Sequence, residues 1–422
     1  MTIVLLSLGV VVLFRFSDTP ASDPREGPPA RWSVTMPIGV GDKPVAAVGE
    51  VIVVPGENTI VGMTRAAGRP VWRRNVGEDY SYSIAAGLVV IKASKSGPLE
   101  VLDPATGATK WRIEKSDDTL VTADSVYTRD CAGDHGNCSV ARRDVDDGTV
   151  RWRTRADYAF GDADEFIGTR PPAAPPVDRY LAVTASDGAT RALDVRTGRL
   201  TDGRIRAHGW HGFVAGRTLV TTDNDPPDGD DMCTVTITTV DAVTGGRRWA
   251  GAAFSGQDEA GECAKDLAPR TTGMNMIGAG SRFAASTSHG TPQMIDLATG
   301  RTVWAAHASG APVDGDGRSI LVRRFTDRGG LALLDFGTGH TRWSAPDPGL
   351  SGTSASWRTV VTDRLVAVTG ATGDRPHVLI YDADSGQRLG RFPGWIAGLG
   401  DDWAAVVHSG TADEITFDFI RF

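Results

Sequence analysis

VLDPATGATKW, residues 101–111, sets a Gly four positions and a Trp eight positions after an Asp. Asp opens a turn by bonding its own following backbone, and Gly supplies the positive φ that a short hairpin loop needs. The same frame returns as RDVDDGTVRW (143–152), VDAVTGGRRW (240–249), IDLATGRTVW (295–304) and LDFGTGHTRW (334–343). Three degenerate copies keep the spacing. LDVRTGRLTD (193–202) has Asp202 in the Trp slot, YDADSGQRLG (381–390) has Gly390 there, and MTRAAGRPVW (63–72) has Thr64 in the Asp slot. The repeat residues are therefore Asp103, Gly107 and Trp111, Asp144, Gly148 and Trp152, Asp241, Gly245 and Trp249, Asp296, Gly300 and Trp304, and Asp335, Gly339 and Trp343. To these the degenerate copies add Asp194 with Gly198, Asp382 with Gly386, and Trp72.

Eight copies, spaced 39 to 55 residues apart, define a repeat architecture rather than a single large core. In each unit an apolar strand, a turn and an alternating strand precede the Asp, and a short strand carries the Trp into the space between neighbouring sheets. Such a unit cannot bury both faces alone. Stacked in a ring, the units cover one another and protect most strand edges, so the fold class is all-β, a β-propeller of four-stranded blades. Trp32 in RWSVTMP reads as a lone Trp strand, and WAAVVHSGTADEITFDFIRF (403–422) as a final hairpin lacking one. The two ends are expected to pair and close the ring, which brings the literal count to nine units.

Composition agrees: 51 Gly and 23 Pro suit frequent tight turns, and amphipathic helical stretches are hard to find. The net charge is −8, and the scattered Arg and Lys form no basic stripe, which argues against nucleic acid as a partner. Lys occurs only at 43, 92, 95, 110, 115 and 265, so nearly all basic residues are Arg, a bias that points to a GC-rich, actinobacterial genome.

Residues 2–14 (TIVLLSLGVVVLF) are uncharged and mostly apolar, and the Pro- and Asp-rich 15–30 follow as a linker, leaving 31–422 to the propeller. A full membrane span needs about 20 residues. The segment has no basic stretch before it, no convincing small-x-small cleavage site and no nearby cysteine to carry lipid. An uncleaved anchor whose first part precedes the annotated start explains all three, and a cleaved signal is the alternative. The expected location is the extracytoplasmic face of the cell membrane, or secretion. The four cysteines agree with an oxidising compartment: Cys131 and Cys138 within CAGDHGNC, and Cys233 with Cys263, each in a predicted loop, are the favoured disulfide pairs among three possible connectivities. Neither pair has zinc-knuckle spacing, and His135 alone completes no ligand set.

The Asp, Thr-Gly and Trp pattern resembles the repeat of pyrroloquinoline quinone (PQQ) dehydrogenases and of their cofactor-free relatives, notably the barrel-assembly lipoprotein of Gram-negative outer membranes. The resemblance spans nearly all of the chain after residue 30 and implies the family's usual eight blades. The dehydrogenases resemble one another in a disulfide between adjacent cysteines and a calcium site beside the quinone. No adjacent cysteines and no Cys-x-x-Cys-His haem motif occur here, so no cofactor is expected and the cofactor-free branch is the nearer one. TDNDPPDGDDMC (222–233), with Asp223, Asp225, Asp228 and Asp230, fails the EF-hand spacing and reads as a solvated loop, as does DGDG (314–317). His208 and His211 around Trp210 lack a third ligand or an acidic orienter. No catalytic or metal site is therefore assigned.

The function expected is a non-enzymatic, membrane-tethered scaffold that binds a cell-envelope protein or peptide through loops at 155–178, 222–234 and 251–275. The alternatives are an oxidoreductase using quinone or metal in the central channel and a sensory ectodomain.

Overall fold

The computed structural model describes residues 27–422 except 38–42, 95–96, 133–136, 156–157, 161–178, 207–211, 226–231, 258–277, 287–289, 308, 325–328, 351–356, 373–374 and 410–413. Among the described residues the regular elements are strands, and they form nine four-stranded sheets. Blade 1 shows the pattern: Ala46–Val48, Val51–Pro55, Thr59–Thr64 and Pro70–Asn75 pair in sequence order. Blades 2 to 8 repeat it, beginning at Tyr80, Asp118, Tyr158, Gly212, Gly278, Gly310 and Arg358. Blade 9 is composite. Trp395–Gly400, Trp403–Ser409 and Glu414–Arg421 come from one end of the chain, and Trp32–Pro37 from the other.

Ring closure rests on that composite blade. Trp32 lies opposite Phe419 and Pro37 opposite Glu414, and Trp32 stacks on Phe419 with centroids 4.9 Å apart. The expected pairing of the two ends is present. The ring holds the nine units of the literal count, one more than the family number used as the expectation. The three degenerate copies explain the difference, because each keeps the turn and the alternating core of a full blade.

Sheets sandwiched between neighbours must be apolar on both faces, and the middle strands are: all five residues of Val51–Pro55 are buried. Nine clusters of buried apolar side chains result, one at each joint between adjacent blades. Val53 and Ile60 of blade 1, for example, pack with Val89 and Leu102 of blade 2.

The repeat residues build both the turn and the joint. Asp103 Oδ1 accepts the Ala105 and Thr106 N–H groups at 2.9 Å each, and Gly107, at φ +66°, donates its N–H to the Asp103 carbonyl at 2.8 Å. Trp72 of blade 1 then lies over this Gly107, where an added Cβ would stand 2.5 Å from the indole. Its Nε1–H donates to the Pro104 carbonyl at 2.7 Å. The same lock joins Trp111 to the Val145 carbonyl, Trp152 to Val195, Trp249 to Leu297, Trp304 to Phe336, Trp343 to Ala383 and Trp32 to Arg65.

Two joints have no Trp in the repeat slot, and each has its own solution. Between blades 4 and 5 the Thr201 hydroxyl donates to the Ala242 carbonyl, the acceptor an indole would otherwise use. Between blades 8 and 9 there is no third-to-fourth turn to cover, because blade 9 is cut there. Gly27 instead passes over Gly390, an added Cβ on Gly27 standing 2.8 Å from the Gly390 Cα, and Phe422 meets Phe392 edge-on at 6.4 Å. Asp202 and Gly390 thus occupy the Trp slot at the two joints built differently.

Candidate functional site

The repeat aspartates are committed to the turns. Thr106, through its N–H and then its hydroxyl, holds the Asp103 carboxyl below the usual carboxylate range. Hydroxyl and N–H donation from Thr338 and from Ser385 lowers Asp335 and Asp382 in the same way, and the Arg151 guanidinium lowers Asp144. At Asp241 and Asp296 partial burial pushes upward, but donors from Thr244 and Arg248, and from Thr299 and Ser281, outweigh it. All of these groups hold backbone in place, and none faces the axis.

The axis is lined by the first strand of each blade, since first strands of neighbouring blades lie against one another, as in blades 7, 8 and 9 and again in blades 9 and 1. Those nine strands carry three charged residues, Asp118, Asp314 and Arg358, and no His, Cys, Glu or Lys. Asp118 accepts the Phe160 N–H at 2.8 Å, Asp314 accepts the Gly315 N–H at 2.8 Å, and the Arg358 guanidinium covers the Trp395 ring at 5.3 Å. Two phenols stand at the start of the blade 2 strand. Tyr80 donates to the Gly56 carbonyl at 2.8 Å and Tyr82 to that of Pro44, and burial raises both above the ordinary phenol range. These groups tie blade 2 to blade 1. Of the axial charges only Asp314, the first residue of DGDG, is singled out in the sequence, as part of a loop; the signal that finds the others is position, each first strand being the short apolar run that opens its unit.

Strands alternate in direction, so the Asp-Gly turns and the first-to-second turns share one face of the ring, and the second-to-third hairpins and blade crossovers share the other. DGDG lies on the first face. Asp316 accepts the Arg318 and Ser319 N–H groups at 2.8 and 2.7 Å, so it caps a tight turn. On the second face several segments expected to be loops are strand. Cys131 and Cys138 stand directly opposite each other in the blade 3 hairpin Ser125–Ala132/Asn137–Asp144, with Cα atoms 4.0 Å apart and a disulfide between them. Residues 222–225 and 232–234 continue the blade 5 hairpin, with Asp223 opposite Thr236, and Arg247–Gln257 extends into the segment from 251 onward. Alternating Thr and Val in TVTITTV (234–240) carry the pairing outward past the expected boundary.

Other expectations lie outside the described residues. These are the span at 2–14, the loops at 161–178, 226–231 and 258–277, His135, His208, Trp210, His211, the side chains of Asp225, Asp228 and Asp230, and the pairing of Cys233 with Cys263. Among the described residues no cluster of three or more His, Cys, Asp or Glu could hold a metal ion, and no helix is long and apolar enough to cross a membrane.

The family model described as outer membrane protein assembly factor BamB matches residues 21–251 and 234–393. No curated protein matches the chain. Among solved structures, BamB from Moraxella catarrhalis aligns at 17% identity and a TM-score of 0.42, covering 92% of this chain and 98% of that one. The computationally designed Ika8 protein aligns at 11% identity and a TM-score of 0.44, covering 91% and 98%. Quinohemoprotein alcohol dehydrogenase ADHIIG from Pseudomonas putida HK5 aligns at 14% identity and a TM-score of 0.43, covering 94% and 77%.

Proposed function

The chain belongs to the family of the outer membrane protein assembly factor BamB, and on that premise we propose that it is a non-enzymatic protein-binding scaffold held on the outer side of a membrane. One contrast carries this proposal. The nine axial strands are poor in groups that could bind a cofactor or move a proton, and their three charged residues are engaged locally. A quinone- or metal-dependent oxidoreductase would need such groups to converge. The rigid ring instead projects long hairpins, with strands of eight to eleven residues in blades 3 and 5. Projections on a rigid frame are where binding groups are commonly placed.

In this reading the partner is a cell-envelope protein or peptide, residues 2–14 attach the chain to the membrane, and neither cofactor nor nucleic acid takes part. The Cys131–Cys138 disulfide supports an oxidising location. The test is capture from native membranes with the full chain as bait, mass spectrometry of what is retained, and an absorbance spectrum of the bait. A reproducible envelope-protein partner without a chromophore is expected; a quinone-like absorbance with no partner overturns the proposal.

A further inference from the structure

Among the described residues each blade ends in a fourth strand with no strand on its outer side, so the circumference of the ring is a series of open backbone edges. The nine outer strands carry fourteen Arg and Lys and a single acidic residue, Asp202, in a chain whose net charge is −8. Half of that positive charge sits on three consecutive blades. Arg73 and Arg74 lie on Pro70–Asn75, Lys110 and Arg112 on Thr109–Ile113, and Arg151, Arg153 and Arg155 on Val150–Arg155, with no acidic residue on these strands.

Charged edges guard sheets against unwanted pairing, but that role does not account for the distribution. The outer strands of blades 6 and 9, Thr302–Ala305 and Trp32–Pro37, carry no charge at all. Local neutralisation is also incomplete. Glu100 engages Arg74 at 3.1 Å and Arg112 at 2.9 Å, and Asp144 engages Arg151. Arg73, Lys110 and Arg153, all exposed, form no ion pair among the described residues. Beside Arg153 in the same sheet, Arg143 donates to the Gly148 carbonyl at 3.1 Å while its buried Nε has no acceptor. Burial first, and the Arg153 charge second, weaken the hold of Arg143 on its proton, so an added anion here relieves an existing repulsion.

We infer that the outer edge of blade 3, at the end of the basic arc of blades 1 to 3, is a docking strip for an extended acidic segment of a partner protein, which adds as a strand along Val150–Arg155. The inference rests on the scaffold reading above and locates its contact. A polypeptide is favoured over other polyanions because only a strand satisfies the edge's N–H and C=O groups. Carboxylates at alternate positions of such a strand meet Arg153 and Arg155, which share one face of theirs.

The probe is a fluorescent peptide of about ten residues, a common strand length, with Glu at alternate positions and Val or Thr between, titrated into the full chain and followed by anisotropy. Three ligands accompany it: the Lys-for-Glu peptide, the same acidic peptide methylated on alternate backbone nitrogens, and phosphatidylglycerol vesicles. The acidic peptide is expected to saturate and the Lys peptide to show no binding, with affinity falling roughly tenfold in the Arg153→Glu/Arg155→Glu variant. Backbone methylation is expected to weaken binding roughly fivefold per hydrogen bond lost. Arg388→Glu/Arg391→Glu, on the blade 8 rim, controls for overall charge and should leave binding unchanged. Slower hydrogen exchange at 150–155 in the peptide-bound wild type reads the same contact without any substitution.

Equal binding by the methylated peptide, preferential binding to the vesicles, or unchanged exchange at 150–155 overturns the strip. If the Arg153→Glu/Arg155→Glu variant still captures the envelope partner from membranes, the strip fails and the scaffold reading stands.

Discussion

Trp343→Ala is the sharpest test of how the ring is held. Trp343 is 7% exposed, donates to the Ala383 carbonyl at 3.0 Å, stacks on Tyr381 at 5.9 Å and covers Gly386. Burying about 200 Å² of aromatic surface at about 25 cal/mol/Å² corresponds to about 5 kcal/mol as an upper figure. Truncation of a buried Trp in a core that partly relaxes costs about 3–5 kcal/mol. The equivalent change where no Trp exists, Thr201→Ala, removes a hydroxyl that donates to the Ala242 carbonyl and accepts the Gly203 N–H, about 2 kcal/mol for two neutral hydrogen bonds. For 422 residues unfolding as one unit the entropy near the midpoint is about 0.9 kcal/mol/K, so Tm should fall by about 4 °C for Trp343→Ala and about 2 °C for Thr201→Ala. Ring proteins can open one joint at a time, so hydrogen exchange is the more direct assay. Amides of Leu331–Asp335 and Leu365–Thr372, on either side of the joint, should open up to about a thousandfold more often, with blades 2 and 3 unchanged. If Trp343→Ala shifts Tm no more than Thr201→Ala, or if exchange rises evenly around the ring, the lock is not what holds the blades together.

Among the described residues the joint between blades 4 and 5 has the smallest apolar cluster, five buried residues, and Asp202 stands in its Trp slot. In the wild-type chain its strands Arg199–Ile205 and Gly212–Ala215 should therefore exchange faster than their counterparts elsewhere, and equal protection would contradict this. Stability should be flat from about pH 5 to 8 and fall below about pH 4. The sign follows from the turn aspartates, whose folded-state pKa values are depressed: the stability they add is complete above the unfolded-state value and is lost as pH drops through the folded one. A melting temperature unchanged down to about pH 2.5 would exclude it. Reducing Cys131–Cys138, or replacing both with Ser, closes one short loop fewer in the unfolded chain and should cost about 2.5 kcal/mol, read as faster exchange confined to the blade 3 hairpin. Peptide mapping under non-reducing conditions should recover the two cysteines linked.

What was legible in the sequence was whatever is local. The Asp-x-x-x-Gly turn closes within five residues, through bonds such as Asp103 to the Thr106 N–H, so each contiguous copy reports it wherever it occurs. The terminal pairing was legible too, because Trp32 and the Trp-less last hairpin are complementary halves of the same unit. The limits of the hairpins were not. Alternation continues through Cys131 and Cys138 and through 232–240, while their Gly, Asp and Asn neighbours look like loop; cross-strand pairing decided in favour of strand.

The sequence by itself determined the repeat, its turns, the all-β class and the way the ring closes, because these follow from side chains acting on backbone a few residues away. The tertiary structure alone decided the number of blades that fit the circle, the use of Thr201 where the repeat Trp is missing, and the gathering of arginines 38 to 82 residues apart into one basic arc on an acidic protein. The physical reason is that such properties belong to distances between units, and the angle between two packed sheets, set by all the side chains in the joint, is written in no single repeat.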